Sequence, residues 1–376
     1  MFLNKQMAKM KKSLAIHIDY GSRGNSGLYI HEILENIDAN VCDVEAYVHS
    51  KYDYKKHRST HLIFDKYSNF IPFKKLKQIY KLLDLYGALI FILIRVLFIR
   101  NTKVYLFVSL YEPFSIYKYL LKLVKNNKNV KTVATVHDAE PLFNNYPGII
   151  MTDQNSIIHY ADYLIVHTVE SQQKLAVLNK KTFLIPFPLM RLERIESNKK
   201  EGDIQFLFIG YLRKEKGIDI LIDAWEILAQ KYKHIHLTIA GGVPFGLQYN
   251  FEKLNQCSLL LQYITEDQYN KLIADCHYAI LPYTGGTNSG IVSTIASLNK
   301  PVITSDLPMF LESAFVLPQL IFKAHSAESL AQKLSAIIDT HHTNYNQYVA
   351  EIAIRNARYV DTFKTQLNMV YGQITQ

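Results

Sequence analysis

Residues 278–310 read YAILPYTGGTNSGIVSTIASLNKPVITSDLPMF, and the order of the pieces decides the fold class. Positions 278–282 form a short apolar run of the kind a buried strand shows. A polar loop follows over 283–290, with glycines at 285, 286 and 290. Positions 291–298 then read as a helix, and 301–304 open another strand. Strand, loop, helix and strand make one βαβ unit, which sets the loop against a helix N-terminus. Such an end carries unpaired N–H groups and roughly half a positive charge, so it favours phosphate. Asn288 or Ser289 is suited to cap the helix. Spacing alone equally admits an ordinary strand-to-helix turn.

The stretch resembles the donor-site segment of retaining glycosyltransferases of family 4, which have the GT-B fold. The resemblance implies an α/β chain of two Rossmann-like domains facing a cleft, with a C-terminal helix crossing back to the N domain. It implies that Asn288, Ser289, Gly290 and Ile291 hold the diphosphate of a nucleotide-sugar donor. The family has two glutamates in this segment, separated by seven residues. Counted back from Pro301, those donor ribose and sugar positions are Gly286 and Thr294 here, so both carboxylates are missing. The TNSGIV core is kept.

A second loop fits the same reading. An apolar run at 205–209 leads into Gly210-Tyr-Leu-Arg213-Lys-Glu-Lys216-Gly217, and a helix is expected over 218–229. Cations ahead of a helix N-terminus form a cradle for phosphate, and arginine can bind it bidentately. The alternative is a solvated charge run. By resemblance, Gly210, Lys216 and Gly217 fall at the family's spacing, with Arg213 two places later than usual. A strand is expected over 259–263, and the resemblance sets Gln262, Tyr263 and Ile264 near the nucleobase.

The N-terminal half repeats the alternation. Positions 13–18 read as a first strand, followed by a loop with glycines at 21, 24 and 27 and a helix over 28–37. Those glycines do not fit GxGxxG, which argues against dinucleotide binding. The resemblance sets Gly24 and Asn25 at the acceptor and the donor's distal phosphate. Strands are expected at 44–49, 103–109, 130–136, 163–168 and 182–185, and Ser171 is expected to cap a helix. The strand at 130–136 ends in His137-Asp138-Ala139-Glu140-Pro141. Ligands sit beyond the carboxyl ends of strands in open α/β sheets, so this trio is placed for chemistry. A helix cap by Asp138 beside an incidental histidine is the alternative. TVHDAEPL matches the family's histidine-containing acceptor loop, which favours catalytic roles for His137, Asp138 and Glu140.

Composition sets the outer limits. The chain has 376 residues, 49% hydrophobic and 20% charged, enough for two ordinary domains with large cores. Cys42, Cys257 and Cys276 show no paired or metal-type spacing, so free thiols in a reducing cytosol are expected. The net charge of +9 comes without a nucleic-acid-binding motif, and no nucleic-acid partner is expected. The stretch 73–100 has lysines at 74, 75, 77 and 81 ahead of apolar residues interrupted by Arg95. Its uncharged run is far shorter than the ~20 residues that span a bilayer. Two readings remain: a helix buried on the N-domain sheet, or an amphipathic element in peripheral contact with an anionic membrane.

The charged stretch 190–203 is the expected linker. The expected domains are residues 1–188 with a helical run over 347–376, and residues 189–346. The resemblance implies a cytoplasmic enzyme, at the inner face of the membrane if 73–100 rests there. It would move a sugar from a nucleotide-diphosphate donor to a polysaccharide or lipid-linked acceptor in bacterial cell-surface glycan synthesis. No cofactor and no metal are expected. A catalytically weak partner subunit is the alternative, motivated by the lost carboxylates.

Overall fold

The computed structural model describes residues 13–20, 25–52, 54, 59–110, 117–139, 154–197 and 202–376. The chain divides into two compact units, Met1–Pro186 with Phe363–Gln376, and Phe187–Thr362.

In the first unit, β1 (Leu14–Asp19) leads to α1 (Asn25–Asn36), and β2 (Asp43–His49) to β3 (Thr60–Phe64). Next come α2 (Lys74–Phe98), β4 (Val104–Leu110), α3 (Tyr117–Val124) and β5 (Val130–Val136). The unit's main sequence ends with α4 (Gln154–Tyr160), β6 (Tyr163–Val166), α5 (Val169–Leu175) and β7 (Lys181–Leu184). The seven strands form one sheet in the order β3-β2-β1-β4-β5-β6-β7, each pairing parallel to its neighbours. Parallel strands covered on both faces favour continuous apolar runs over alternation, as VYLFVSL of β4 shows. Strand β3 and helix α4 were not anticipated, because THLIF and QNSIIHY are short and half polar. The cap of α5 is Thr168, whose hydroxyl accepts from the Ser171 N–H, in place of the expected Ser171. Thr168 has the extended backbone of a cap, whereas Ser171 already lies inside the helix.

In the second unit, β8 (Ile204–Ile209), α6 (Ile218–Lys231), β9 (Ile235–Ala240), β10 (Cys257–Leu260) and α7 (Glu266–Asp275) come first. They are followed by β11 (Tyr278–Leu281), α8 (Gly290–Ser297), β12 (Val302–Ser305), α9 (Pro308–Leu311) and β13 (Ile321–Phe322). Helices α10 (Ala327–Asp339) and α11 (His341–Thr375) close the chain. The six-stranded sheet runs β10-β9-β8-β11-β12-β13, again parallel throughout. Trp225 of α6 is fully buried edge-on to Phe206 of β8, and its indole N–H donates to the Asn255 carbonyl. Each large apolar side chain buried this way contributes about 1.5–3 kcal/mol.

The expected linker begins inside this second unit. Leu189 and Met190 are buried, Leu189 in the unit's own core, before the charged residues that follow. Helix α11 starts at His341, ahead of the expected position 347. Its polar first turns show no apolar stripe, yet His341 and Tyr345, one turn apart, pack with ring centroids 5.7 and 5.4 Å from Tyr278. The last turns of α11 belong to the first unit. There Tyr371 stacks on Phe107 at 5.0 Å and 4°, and Asn368 accepts from the Asp38 N–H while donating to the Asn36 carbonyl. Helix α2 packs into the first unit's core through Leu85, Leu89, Ile92 and Val96, so the expected buried helix is covered along a narrow seam. Among the described residues, no helix is long and apolar enough to cross a membrane.

Candidate functional site

Both sheets reverse their strand order once, between β1 and β4 and between β8 and β11. Ligands in open α/β sheets bind beyond the carboxyl ends of the strands at such a switch point. In the second unit, the loop after β8 carries Arg213 and Lys216, and the loop after β11 runs into Ser289. Because β8 and β11 pair directly, their two loops share one end of the sheet.

Contacts between those loops are close and specific. The Thr284 N–H donates to the Glu215 carbonyl at 2.9 Å. Gly217 has φ +68°, and a Cβ there would overlap the Pro282 carbonyl, so glycine is what permits the approach. The Lys216 ammonium donates to the Tyr283 hydroxyl and lies 4.0 Å from the ring centre, a cation–π geometry. Tyr283 is buried and hydrogen-bonds Ser289. Burial pushes its phenol up, against the opposing Ser289 bond and the Arg213 charge, so the hydroxyl stays protonated at neutral pH. Arg213 pairs with the Glu215 carboxylate at 2.7 Å.

Ser289 is the N-cap residue of α8, with extended backbone and no side-chain bond to the helix amides. Neither Asn288 nor Ser289 therefore acts as the expected side-chain cap; the Ser289 hydroxyl goes to Tyr283 instead. The first-turn N–H groups of α8, including those of Gly290 and Ile291, are among those that an α-helix leaves without a partner inside the helix. Gly286 has φ +123°, with Met309 3.4 Å from where a Cβ would stand. Thr294 is fully buried, and its hydroxyl donates to the Gly290 carbonyl at 2.9 Å. Strand β10 stops at Leu260, so Gln262, Tyr263 and Ile264 follow it as a loop, with Tyr263 86% exposed. Edge position explains the shortening: β10 pairs with β9 alone.

In the first unit, His137 follows β5 and His167 follows the adjacent β6. His167 Nδ1 lies 2.8 Å from the Ile185 carbonyl, and its Nε2 lies 3.2 Å from His137 Nδ1. A carbonyl only accepts, so His167 carries its proton on Nδ1. Neutral His167 then accepts at Nε2 from the His137 Nδ1–H, which leaves His137 Nε2 as an acceptor. Burial holds His167 down at about 4; burial and then the neighbouring His167 hold His137 well below the usual imidazole range. Both rings are therefore neutral at pH 7. Tyr29 of α1 meets them edge-on, with centroids 4.8 and 5.4 Å away.

The glycosyl transferases group 1 family matches residues 190–355, the span holding both loops of the second unit. The chain carries a group 1 glycosyltransferase domain. A second family, the glucosyltransferase 3-like N-terminal domain, matches residues 108–182. No curated protein matches the chain in sequence. Solved structures agree on the fold. Sucrose-phosphate synthase from Thermosynechococcus elongatus is 14% identical, with TM-score 0.60 over 96% of this chain and 99% of that one. HepE of Anabaena in complex with UDP-glucose is 12% identical, with TM-score 0.61 over 95% and 98%. The lipopolysaccharide outer core galactosyltransferase WaaB is 13% identical, with TM-score 0.58 over 96% and 99%. The chain is thus a glycosyltransferase of GT-B type.

Within this glycosyltransferase, the structure brings Arg213, Lys216, Ser289, Gly290 and Ile291 to one end of one sheet. His137 and Asp138 are described at the end of β5. Glu140 and Gly24 lie outside the described residues, as does the side chain of Asn25, which opens α1. Tyr283 and His167 also belong to these sites and were not expected there from the sequence. Tyr283 sits in the quoted stretch but reads as a loop aromatic, and His167 ends an apolar run much as His137 does. Among the described residues, no group of three or more His, Cys, Asp or Glu is placed to hold a metal ion.

Proposed function

We propose that the chain is a retaining glycosyltransferase of family 4 that takes a sugar from a nucleoside-diphosphate donor. One observation carries the reading: the cationic loop after β8 and the α8 N-terminus meet at the switch point, joined through Lys216, Tyr283 and Ser289. As the anomeric bond loosens, negative charge builds on the departing diphosphate. Arg213, Lys216 and the amides of Gly290 and Ile291 stabilise it with fixed charge and dipole, which costs no reorganisation at the moment of reaction. No metal is needed in this scheme. The second unit holds the donor, with the base near residues 262–264, and the first unit holds the acceptor. His137 accepts a hydroxyl proton at Nε2 in a hydrogen bond to substrate; Asp138 and Glu140 remain candidate partners.

The acceptor class we infer is a polysaccharide or lipid-linked glycan at the inner face of the cytoplasmic membrane, in cell-surface glycan synthesis. HepE with UDP-glucose and the galactosyltransferase WaaB support a hexose donor and an envelope product. A second reading, a catalytically weak partner subunit, is favoured by the carboxylate-free positions at Gly286 and buried Thr294.

A thermal-shift panel of UDP-, GDP- and ADP-sugars tests the donor site, since a ligand at 100 times its Kd stabilises by about 2.7 kcal/mol. One nucleotide series should raise Tm, and the Arg213→Ala variant should lose the rise. A panel without any shift overturns the donor site. Binding without hydrolysis or transfer favours the partner subunit.

A further inference from the structure

Helix α2 is apolar on two opposite faces. Leu85, Leu89, Ile92 and Val96 recur at helical spacing and form the buried seam. At 100° a residue, Leu76, Ile79, Leu83, Ile90, Ile94 and Leu97 fall on the far side, and all six are exposed. Leu83 is 65% and Ile90 55% accessible, in a stripe about 30 Å long by helical rise. Scattered exposed leucines need no explanation, but a contiguous stripe of large side chains marks an interaction surface.

Charge selects the occupant. The helix carries Lys74, Lys75, Lys77, Lys81 and Arg95 against one acid, Asp84. Asp84 is turned to the protein, accepting from the Asp65 N–H at 2.6 Å and the Tyr80 hydroxyl at 3.0 Å. Lys74 and Lys75 stand exposed at one end and Arg100 at the other, where the Arg95 guanidinium is paired to Glu45 at 2.8 Å. A second copy packed on this face would set cations against cations in either helix direction. Anionic headgroups complement both ends, while acyl chains take the stripe between them.

We infer that α2 lies in the plane of an anionic bilayer, with its outer stripe among the acyl chains and its terminal cations among the headgroups. This rests on the proposed membrane-side acceptor only for its biological sense. Vesicle binding and donor binding are separate measurements, and either can fail alone.

The test is co-sedimentation of the full chain with phosphatidylcholine vesicles, with and without about 30 mol % phosphatidylglycerol. The wild type should bind the anionic vesicles, and raising salt to about 0.5 M should weaken that binding. Leu83→Glu with Ile90→Glu should lower partitioning at least about tenfold, and Lys74→Glu with Lys75→Glu should abolish the preference for anionic lipid. Because all four positions face outward, Tm should hold in both double variants. As a second readout, Ile90→Trp should give an emission blue shift on anionic vesicles. The inference is overturned by wild-type protein that stays in the supernatant, by undiminished binding of the double glutamate variant, or by an absent blue shift. Equal binding to pure phosphatidylcholine also overturns it. So does a concentration-dependent dimer that the glutamates dissolve.

Discussion

Lys216 donates its hydrogen bond to a tyrosine from the neighbouring loop: its ammonium meets the Tyr283 hydroxyl and lies over the face of that ring. The ring holds a flexible lysine at the mouth of the switch point, and the same hydroxyl reaches Ser289 at the α8 cap. One phenol therefore couples the cationic loop to the helix end.

Removing that lysine should weaken nucleotide binding more than removing the hydroxyl that places it. Hydrogen bonds to charged groups contribute about 1.5–3 kcal/mol, or roughly 10- to 150-fold in Kd. Lys216→Ala should lose UDP or GDP affinity in this range by calorimetry. Tyr283→Phe keeps the cation–π contact and should lose only about three- to tenfold. Equal affinity in wild type and Lys216→Ala would contradict the cradle.

The Arg213–Glu215 pair makes an opposite-signed prediction. Glu215 partly neutralises the guanidinium that is proposed to meet phosphate. The two side chains are 21% and 25% exposed, and a pair of this kind contributes about 1 kcal/mol to stability, so Glu215→Gln should lower Tm only slightly. It should raise nucleotide affinity about two- to fivefold, most clearly at low salt. A fall in affinity would show that Glu215 holds the arginine in place.

Placing at position 286 the glutamate that the family resemblance implies should fail. With φ +123°, Gly286 adopts backbone that side chains rarely take. Gly286→Glu should cost about 1–3 kcal/mol of stability, read as a lower Tm, without a gain in turnover. A more active variant would show that the loop relaxes to a backbone that accepts a side chain.

Acid should destabilise the first unit through its buried histidines. An unfolded imidazole titrates near about 6.5. Burial lowers His17 to about 3 and His167 to about 4 in the folded chain. Above the unfolded value both states are neutral and the full stability is present. Below it the unfolded chain takes up protons that the native chain refuses. Each histidine then costs about 1.4 kcal/mol per pH unit until its folded value is reached. Tm should fall from pH 7 to pH 5, and His167→Gln should make that fall shallower. An unchanged slope would place the proton uptake elsewhere.

Local signals explain why much of the second unit could be read early. The strand at 278–282 and the helix at 291–298 were expected within a residue or so of β11 and α8, because apolar runs and glycine punctuation are encoded in neighbouring residues. The α11 start at His341 was not visible, since it depends on Tyr278, far away in sequence. Likewise, the expected cap at Ser171 and the strand end at Tyr263 rested on residue type alone. The structure settles both by hydrogen bonds and by which strand has a neighbour.

By itself the sequence determined the alternating α/β layers and the residue types suited to diphosphate, which follow from short-range periodicity and spacing, while the group 1 segment rested on its resemblance to a known family. Only the tertiary structure decided that Lys216 and Ser289 meet through Tyr283, that His137 and His167 share a proton arrangement, and that α2 exposes one of its two apolar faces. Those facts depend on which strands pair and which faces are covered, and such pairings join residues that local pattern cannot connect.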